Sequence, residues 1–269
     1  MSDLVHQKLF QKQYVLPELY HSSKTRRFEE AVQRADHFIA VSESTRQDLI
    51  KLFHIPKEKI DVVHLACDIS PEQIDSMDRD TIRASLMKGL GTDHKRFLVA
   101  LSSKDSRKNI PRIAEAFINA ANESHVNDTA LVILGRLPDG MTLPKTGNIF
   151  NPGEVDDIME WLACSSGLVF ASLYEGFGLP ILEGFAAGVP VITSSISSMP
   201  EVAGDAALLV DPNERQDISR AISLILSNED ITKNKIIAGR IRLRQFSWKY
   251  SAEKTVHIYD KIIKARRQV

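Results

Sequence analysis

The sequence predicts an α/β protein whose main body is a doubly wound parallel sheet, and three observations predict it. From Phe97 onward short apolar runs alternate with loops or helical patterns, giving six strands near Phe97–Ser102, Ala130–Gly135, Asn148–Asn151, Leu168–Leu173, Val189–Thr193 and Ala207–Val210. Alternation of this kind means parallel strands joined by crossovers, with both faces of the sheet covered. Second, the apolar run Val169–Leu173 breaks at Gly176-Phe-Gly178, and Pro180 opens a helix because proline suits a first turn whose N–H groups are unpaired anyway; the product is strand, glycine loop, helix. Third, the 269 residues are 43% hydrophobic and 26% charged, an ordinary balance for a soluble globular chain with ample material for a core.

The elements follow in order. Residues 1–34 contain no clean strand, and Phe28–Arg34 reads as a helix. Asp36–Ser42 is a short strand, Ser42 or Ser44 caps a helix over Thr45–Phe53, Ile55-Pro56 forces an extended turn, and Ile60–Leu65 is another strand. Residues 68–94 are polar and mark a boundary, a loop plus a helix over Arg79–Met87. After the sixth strand come helices over Asp217–Leu226 and roughly Thr232–Arg244, then Phe246-Ser-Trp248 and a last amphipathic helix in which Ala252, Val256, Tyr259 and Ile263 form one stripe.

Composition excludes several function classes. A net charge of -1 argues against a nucleic-acid partner, which needs a basic face. Cys67 and Cys164 are too few for a disulfide framework and sit in no zinc pattern, so they read as small buried hydrophobes in a reducing compartment. No run of eighteen apolar residues and no signal-peptide core occurs, which gives a cytoplasmic expectation. The basic end Lys261–Arg267 leaves two readings open, contact with an anionic membrane surface or a solvated, dipole-complementing last turn. His54 and His64 read as isolated, no histidine has a carboxylate at metal spacing, and no G-x-G-x-x-G follows a strand, so neither a metal nor a nicotinamide cofactor is expected.

The glycine loop carries the chemistry. Backbone N–H groups at the positive end of a helix bind anions, most commonly phosphate, and glycine lets a ligand approach the backbone. Glu175 and Glu183 flank that loop, and beside a phosphate each is expected to point away and accept hydrogen bonds from uncharged hydroxyls. A ligand with a central phosphate and hydroxyls at both ends fits, and a nucleotide sugar has that form. The competing reading is that the two glutamates merely enrich a helix N-terminus with negative charge. In LVALSSKDSRKN, Leu98–Asn109, Lys108 stands at a helix N-terminus, where a lysine is electrostatically misplaced unless an anion binds or the charge is simply solvated.

The stretch ASLYEGFGLPILEGFAAG, Ala171–Gly188, followed by Val189-Pro-Val191, resembles the donor-site motif of retaining glycosyltransferases of the GT-B fold, family 4. The resemblance implies that Glu175 contacts the transferred sugar, that Gly176, Phe177, Gly178 and Leu179 present the loop to sugar and diphosphate, and that Glu183 holds the ribose. The segment ending in Arg107-Lys108-Asn109 resembles that family's RKN segment, which gives Lys108 the donor diphosphate; Ser102-Ser103 stands where the family often has Gly-Arg or Gly-Thr, so Arg107 or Lys104 would supply a second cation. Gly135, Arg136 and Asn151 are weaker donor-binding candidates placed by the same resemblance, and Pro200-Glu201-Val202 matches its PEV segment. The run Ala35–His64 resembles the end of an N-terminal Rossmann domain, so the expected organisation is an acceptor-domain remnant over 1–67, a linker and helix over 68–94, a Rossmann-like donor domain over 95–245 and a crossover helix over 246–269 packing back on the N-terminal part. What this implies is a metal-independent glycosyltransferase, with GDP-mannose as a candidate donor and a glycan or lipid-linked acceptor, and with a second chain as the source of the rest of the acceptor domain. The alternative class is a non-catalytic partner subunit that binds a nucleotide sugar or another glycosyltransferase chain; a nucleotide-sugar epimerase on the same fold ranks third.

Overall fold

The computed structural model describes residues 30, 32–122 and 128–267. Residues 1–29 of the expected N-terminal remnant lie outside them, and of the helix expected over Phe28–Arg34 residues 30 and 32–34 are described and helical. Strands β1 (Phe38–Ala40) and β2 (Ile60–Val62) pair in parallel, joined by helix α1 (Glu43–Phe53), whose cap is Ser42: its hydroxyl accepts from the Thr45 N–H. Ala40, Leu49, Ile55 and Ile60 form the small core of this unit. Two short helices follow, α2 (Pro71–Asp75), where the sequence suggested only loop, and α3 (Arg79–Gly89). Ser70-Pro71 starts the first, since proline needs no N–H partner in a first turn.

The main sheet has six parallel strands, β3 (Arg96–Leu101), β4 (Thr129–Leu134), β5 (Ile149–Gly153), β6 (Gly167–Phe170), β7 (Val191–Ser194) and β8 (Leu208–Val210), in the order β5-β4-β3-β6-β7-β8. Helices α4 (Ile110–Ala121), α5 (Ile158–Cys164), α6 (Leu179–Ala187), α7 (Met199–Ala203), α8 (Arg215–Ser227) and α9 (Glu229–Leu243) connect and cover the strands, and α10 (Trp248–Arg267) ends the chain. Alternation along β3 shows why both faces are apolar. Phe97 and Val99 join Leu168, Leu182 and Phe185 on one side, while Leu98 and Ala100 join Ile113, Phe117 and Ile222 on the other. Cys164 is buried and Cys67 half-buried, and both thiols are free and pushed up in pKa by burial.

Two sequence expectations are corrected here. β6 ends at Phe170 rather than Leu173, because the Leu173 N–H leaves the sheet to donate to the Arg107 carbonyl at 2.8 Å. The last helix turns a different face inward: Ser251 and Ile258 are buried, whereas Ala252, Val256, Tyr259 and Ile263 are exposed. Polar anchors set that rotation. Ser251 Oγ donates to the His64 carbonyl, Lys261 reaches Asp61 at 3.4 Å and Arg266 pairs with Asp36, so α10 does lie along the β1–β2 unit, with two of its exposed basic residues paired to that unit's aspartates.

Candidate functional site

Strand order creates the site. The chain leaves β3 toward β4 and β5 on one side and returns to β6 on the other, so the switch point, beyond which open sheets of this kind take their ligands, lies between the C-terminal ends of β3 and β6. The loop after β3 is shaped by Asp105, which caps a 3-10 turn over Ser106–Lys108, and by Asn109 at φ 59°, whose Nδ2 donates to the Ala171 and Pro212 carbonyls at 3.0 and 2.8 Å. Those bonds staple it to the end of β6. Lys108 Nζ thereby reaches Glu175 Oε1 at 2.7 Å and lies 4.8 Å from the centre of the Phe170 ring. Arg107 Nη1 stands 3.5 Å from Glu175 Oε2 while its Nε holds Asp105 at 2.7 Å. All three charged side chains are mostly buried, with 11% of Glu175, 16% of Lys108 and 12% of Arg107 exposed. Glu175 thus meets both cations. Charges taken this far from water need partners, and in the ligand-free protein the partners are each other.

The loop from Glu175 to Gly178 is held by its carbonyls. Ser197 and Ser198 hydroxyls lie 2.8 and 2.9 Å from the Glu175 carbonyl, Ser198 lies 2.8 Å from that of Phe177, and the Ser42 and Thr45 hydroxyls donate to that of Gly176 at 2.7 and 3.0 Å. The N–H groups are treated differently. Those of Gly176, Phe177 and Gly178, all buried residues, have no hydrogen-bond partner among the described residues. Unpaired donors in succession at a helix start are groups that an anion can use. Gly178 caps α6 at φ 104°, a conformation that favours glycine.

Glu183 sits in the second turn of α6. Burial pushes its carboxyl above the ordinary carboxylate range, and Lys108 only partly opposes this. A raised folded-state pKa means that the carboxylate loses stability as pH rises from its unfolded value to its folded one. Glu183→Gln is therefore expected to raise the melting temperature at pH 7 by a few degrees and to leave it nearly unchanged at about pH 3, below the unfolded value, where the carboxyl is neutral in both states. An equal shift at both pH values in a thermal melt overturns this.

The remaining candidates fall into a second group at the ends of β4 and β5. Asn151 Nδ2 donates to the Ile133 and Gly135 carbonyls at 2.6 and 2.9 Å, where the β4–β5 register shifts. A Cβ on Gly135 would lie 2.2 Å from the Ser102 carbonyl oxygen, so close strand packing explains that glycine. Arg136 is exposed and paired with Glu154, and Lys104 with Asp139. A surface groove along α3, lined by Arg83, Met87, His94 and Lys95, shares no residue with either group.

Sequence reasoning missed the residues that α1 and Glu201 bring to the loop. The Glu201 carboxylate accepts from the Glu43 and Ser44 N–H groups and lies 2.7 Å from His64 Nε2. Burial pushes Glu201 up, but these hydrogen bonds outweigh it and hold the carboxyl below its ordinary range. His64 is therefore not isolated; its ring also packs at 5.9 Å from Phe177 and 5.8 Å from Phe246. His54 ends α1 in the left-handed conformation. Tyr174 donates its hydroxyl to Asp48 at 2.8 Å. Ser42 was legible as one of two candidate caps and Thr45 as the helix start, but nothing local says that their hydroxyls also serve a carbonyl more than a hundred residues away. No group of three or more His, Cys, Asp or Glu side chains among the described residues is arranged to hold a metal, and no helix among them is long and apolar enough to cross a membrane.

Comparison with known proteins gives consistent findings. Residues 95–228 match the family model described as glycosyl transferases group 1, and residues 5–70 match that of glycosyltransferase family 4. The O-antigen chain mannosyltransferase B of Escherichia coli is 28% identical over 261 residues, covering 91% of this chain and 67% of that protein. The serotype-specific mannosyltransferase WbdA of Escherichia coli is 27% identical over 88% of this chain, which spans only 30% of that protein. Among solved structures, Anabaena Alr3699/HepE in complex with UDP and glucose matches 89% of this chain and 68% of its own with a TM-score of 0.74 at 18% identity. WaaG, a glycosyltransferase involved in lipopolysaccharide biosynthesis, matches 94% of this chain and 72% of its own at 0.70 and 18%. These likenesses show the six-stranded parallel body to be that of GT-B glycosyltransferases.

Proposed function

We propose that this chain, which belongs among the glycosyltransferases by the family models matching residues 5–70 and 95–228, binds a nucleoside diphosphate sugar in the crevice beyond β3 and β6 and transfers the sugar to a hydroxyl of a glycan or lipid-linked acceptor. The observation that carries this reading is the row of buried, unpaired N–H groups at Gly176–Gly178 beside the Lys108–Glu175–Arg107 cluster. A diphosphate satisfies those donors and takes Lys108 from Glu175, which frees the carboxylate to accept from sugar hydroxyls. Glu183, half-buried and raised in pKa, suits a ribose diol, which donates to a carboxylate without adding charge. As the bond to the sugar breaks, negative charge grows on the leaving diphosphate; Lys108, Arg107 and the loop N–H groups stabilise it, so the proposed chemistry runs without a metal. The acceptor oxygen attacks on the face the diphosphate leaves, with retention of configuration, and its proton passes to the departing diphosphate oxygen. Relatives named as mannosyltransferases favour mannose as the sugar and GDP-mannose as the donor.

Calorimetry with GDP, UDP and their sugars tests the reading. Binding of at least one is expected, and no binding at about 1 mM, the affinity of roughly -4 kcal/mol, overturns it. Lys108→Ala is expected to weaken diphosphate affinity by about 1.5–3 kcal/mol, the range of a charge-assisted hydrogen bond. Unchanged affinity would leave Lys108 as a structural partner of Glu175 alone. The alternative, a nucleotide-binding subunit without turnover, gains support if a bound nucleotide sugar is never consumed when acceptors are supplied.

A further inference from the structure

We infer that Ser42 and Thr45, on the N-terminal turn of α1, are positioning residues that aim the Phe177 N–H at the donor. The inference rests on the donor reading above and concerns how that site is oriented. A peptide unit is planar and trans, so its carbonyl and N–H point in opposite directions. The Gly176 carbonyl belongs to the same plane as the Phe177 N–H. Two hydroxyls draw that carbonyl toward α1, Ser42 Oγ at 2.7 Å and Thr45 Oγ1 at 3.0 Å, and all three residues are buried. The Phe177 N–H is thereby turned away from α1, and it is one of the three buried donors left without a partner. A glycine at 176 lets this peptide rotate almost freely in the absence of such a clamp.

The clamp is built into a larger dock. Tyr174, two residues before Gly176, donates to Asp48 one turn further along α1, and Glu201 accepts from the Glu43 and Ser44 N–H groups at the start of the same helix. These contacts fix α1 against the loop on either side of the rotating peptide. The Ser42 and Thr45 bonds alone act on the plane that contains the Phe177 N–H. They cross from the β1–β2 unit to the six-stranded body, so the orientation of the donor loop depends on how that unit is seated.

The experiment compares GDP with GMP, and UDP with UMP, by calorimetry on the whole chain carrying Thr45→Val or Ser42→Ala. The expected result is a loss of about tenfold in nucleoside diphosphate affinity with monophosphate affinity unchanged, because a monophosphate places one phosphate fewer against the loop. Thr45→Ser and Ser42→Thr keep the hydroxyls and are expected to restore the diphosphate affinity. Retained monophosphate binding also reports that the variants fold, which matters because Ser42 caps α1 as well. Equal losses on diphosphate and monophosphate, or failure of the hydroxyl-bearing variants to restore binding, overturn the positioning role and leave Ser42 and Thr45 as packing residues. An unaltered chain that binds none of the four nucleotides overturns the donor reading itself, and this inference with it.

Discussion

Glu175→Gln is expected to lose sugar transfer by about 10²–10³-fold while binding a nucleoside diphosphate at least as tightly as the unaltered chain. The two effects have opposite signs because Glu175 has two jobs. In the ligand-free protein its carboxylate holds Lys108 at 2.7 Å and Arg107 at 3.5 Å, and an incoming diphosphate has to compete with it for both cations. Glutamine keeps the shape and removes the competitor, so the two cations are left under-neutralised in a mostly buried site and attract the diphosphate more strongly. In the proposed transfer the same carboxylate would face the sugar as positive charge develops there, and an amide would not stabilise that charge. Calorimetry with the nucleoside diphosphate and a turnover assay with the nucleotide sugar separate the two. Weakened diphosphate binding in the variant would show that Glu175 organises the cations instead of competing for them, and undiminished transfer would remove it from the reaction centre.

The largest effect on stability is expected at Gly135, where alanine should cost about 3–5 kcal/mol and lower the melting temperature by roughly 10 °C. Two terms add. Gly135 has φ 100°, which strains any residue with a side chain, and its new Cβ would lie 2.2 Å from the Ser102 carbonyl oxygen, backbone against backbone with no flexible end to yield. The Gly135 N–H meanwhile donates to the Gly153 carbonyl at 2.7 Å and the Ser102 N–H to that of Leu134 at 2.7 Å, so relief by moving either strand breaks ladder bonds. Gly153 is the control: its φ is 84° but nothing lies within 4 Å of where its methyl would stand, so Gly153→Ala should show only the dihedral strain, about 1–2 kcal/mol. Thermal melts of the two variants are the measurement. A Gly135→Ala protein as stable as the unaltered chain, with nucleotide binding lost, would return Gly135 to the donor site and remove the packing explanation.

What the sequence by itself determined was everything that depends on neighbours along the chain. Short, continuously apolar runs between Phe97 and Val210, separated by helical patterns, placed all six strands of the main sheet, since a strand buried on both faces needs no polar alternation. Ser42 was readable as a cap and Gly178-Leu-Pro180 as a helix start because capping and proline chemistry act within one turn. Lys108 at a helix start and two glutamates around a glycine loop were legible as charges out of place. Only the tertiary structure decided which of these meet. Strand order put the loops after β3 and β6 side by side, so Lys108 pairs with Glu175, while Gly135 and Asn151 lie on the other side of β3, where they hydrogen-bond β4 to β5. The face of α10 could not be read from hydrophobic periodicity, because Ser251, Lys261 and Arg266 fix its rotation through partners at His64, Asp61 and Asp36. The clamp on Gly176 was equally hidden: a buried carbonyl takes whatever donor the fold brings within reach, and a hydroxyl already explained as a helix cap gives no local sign that its proton goes elsewhere.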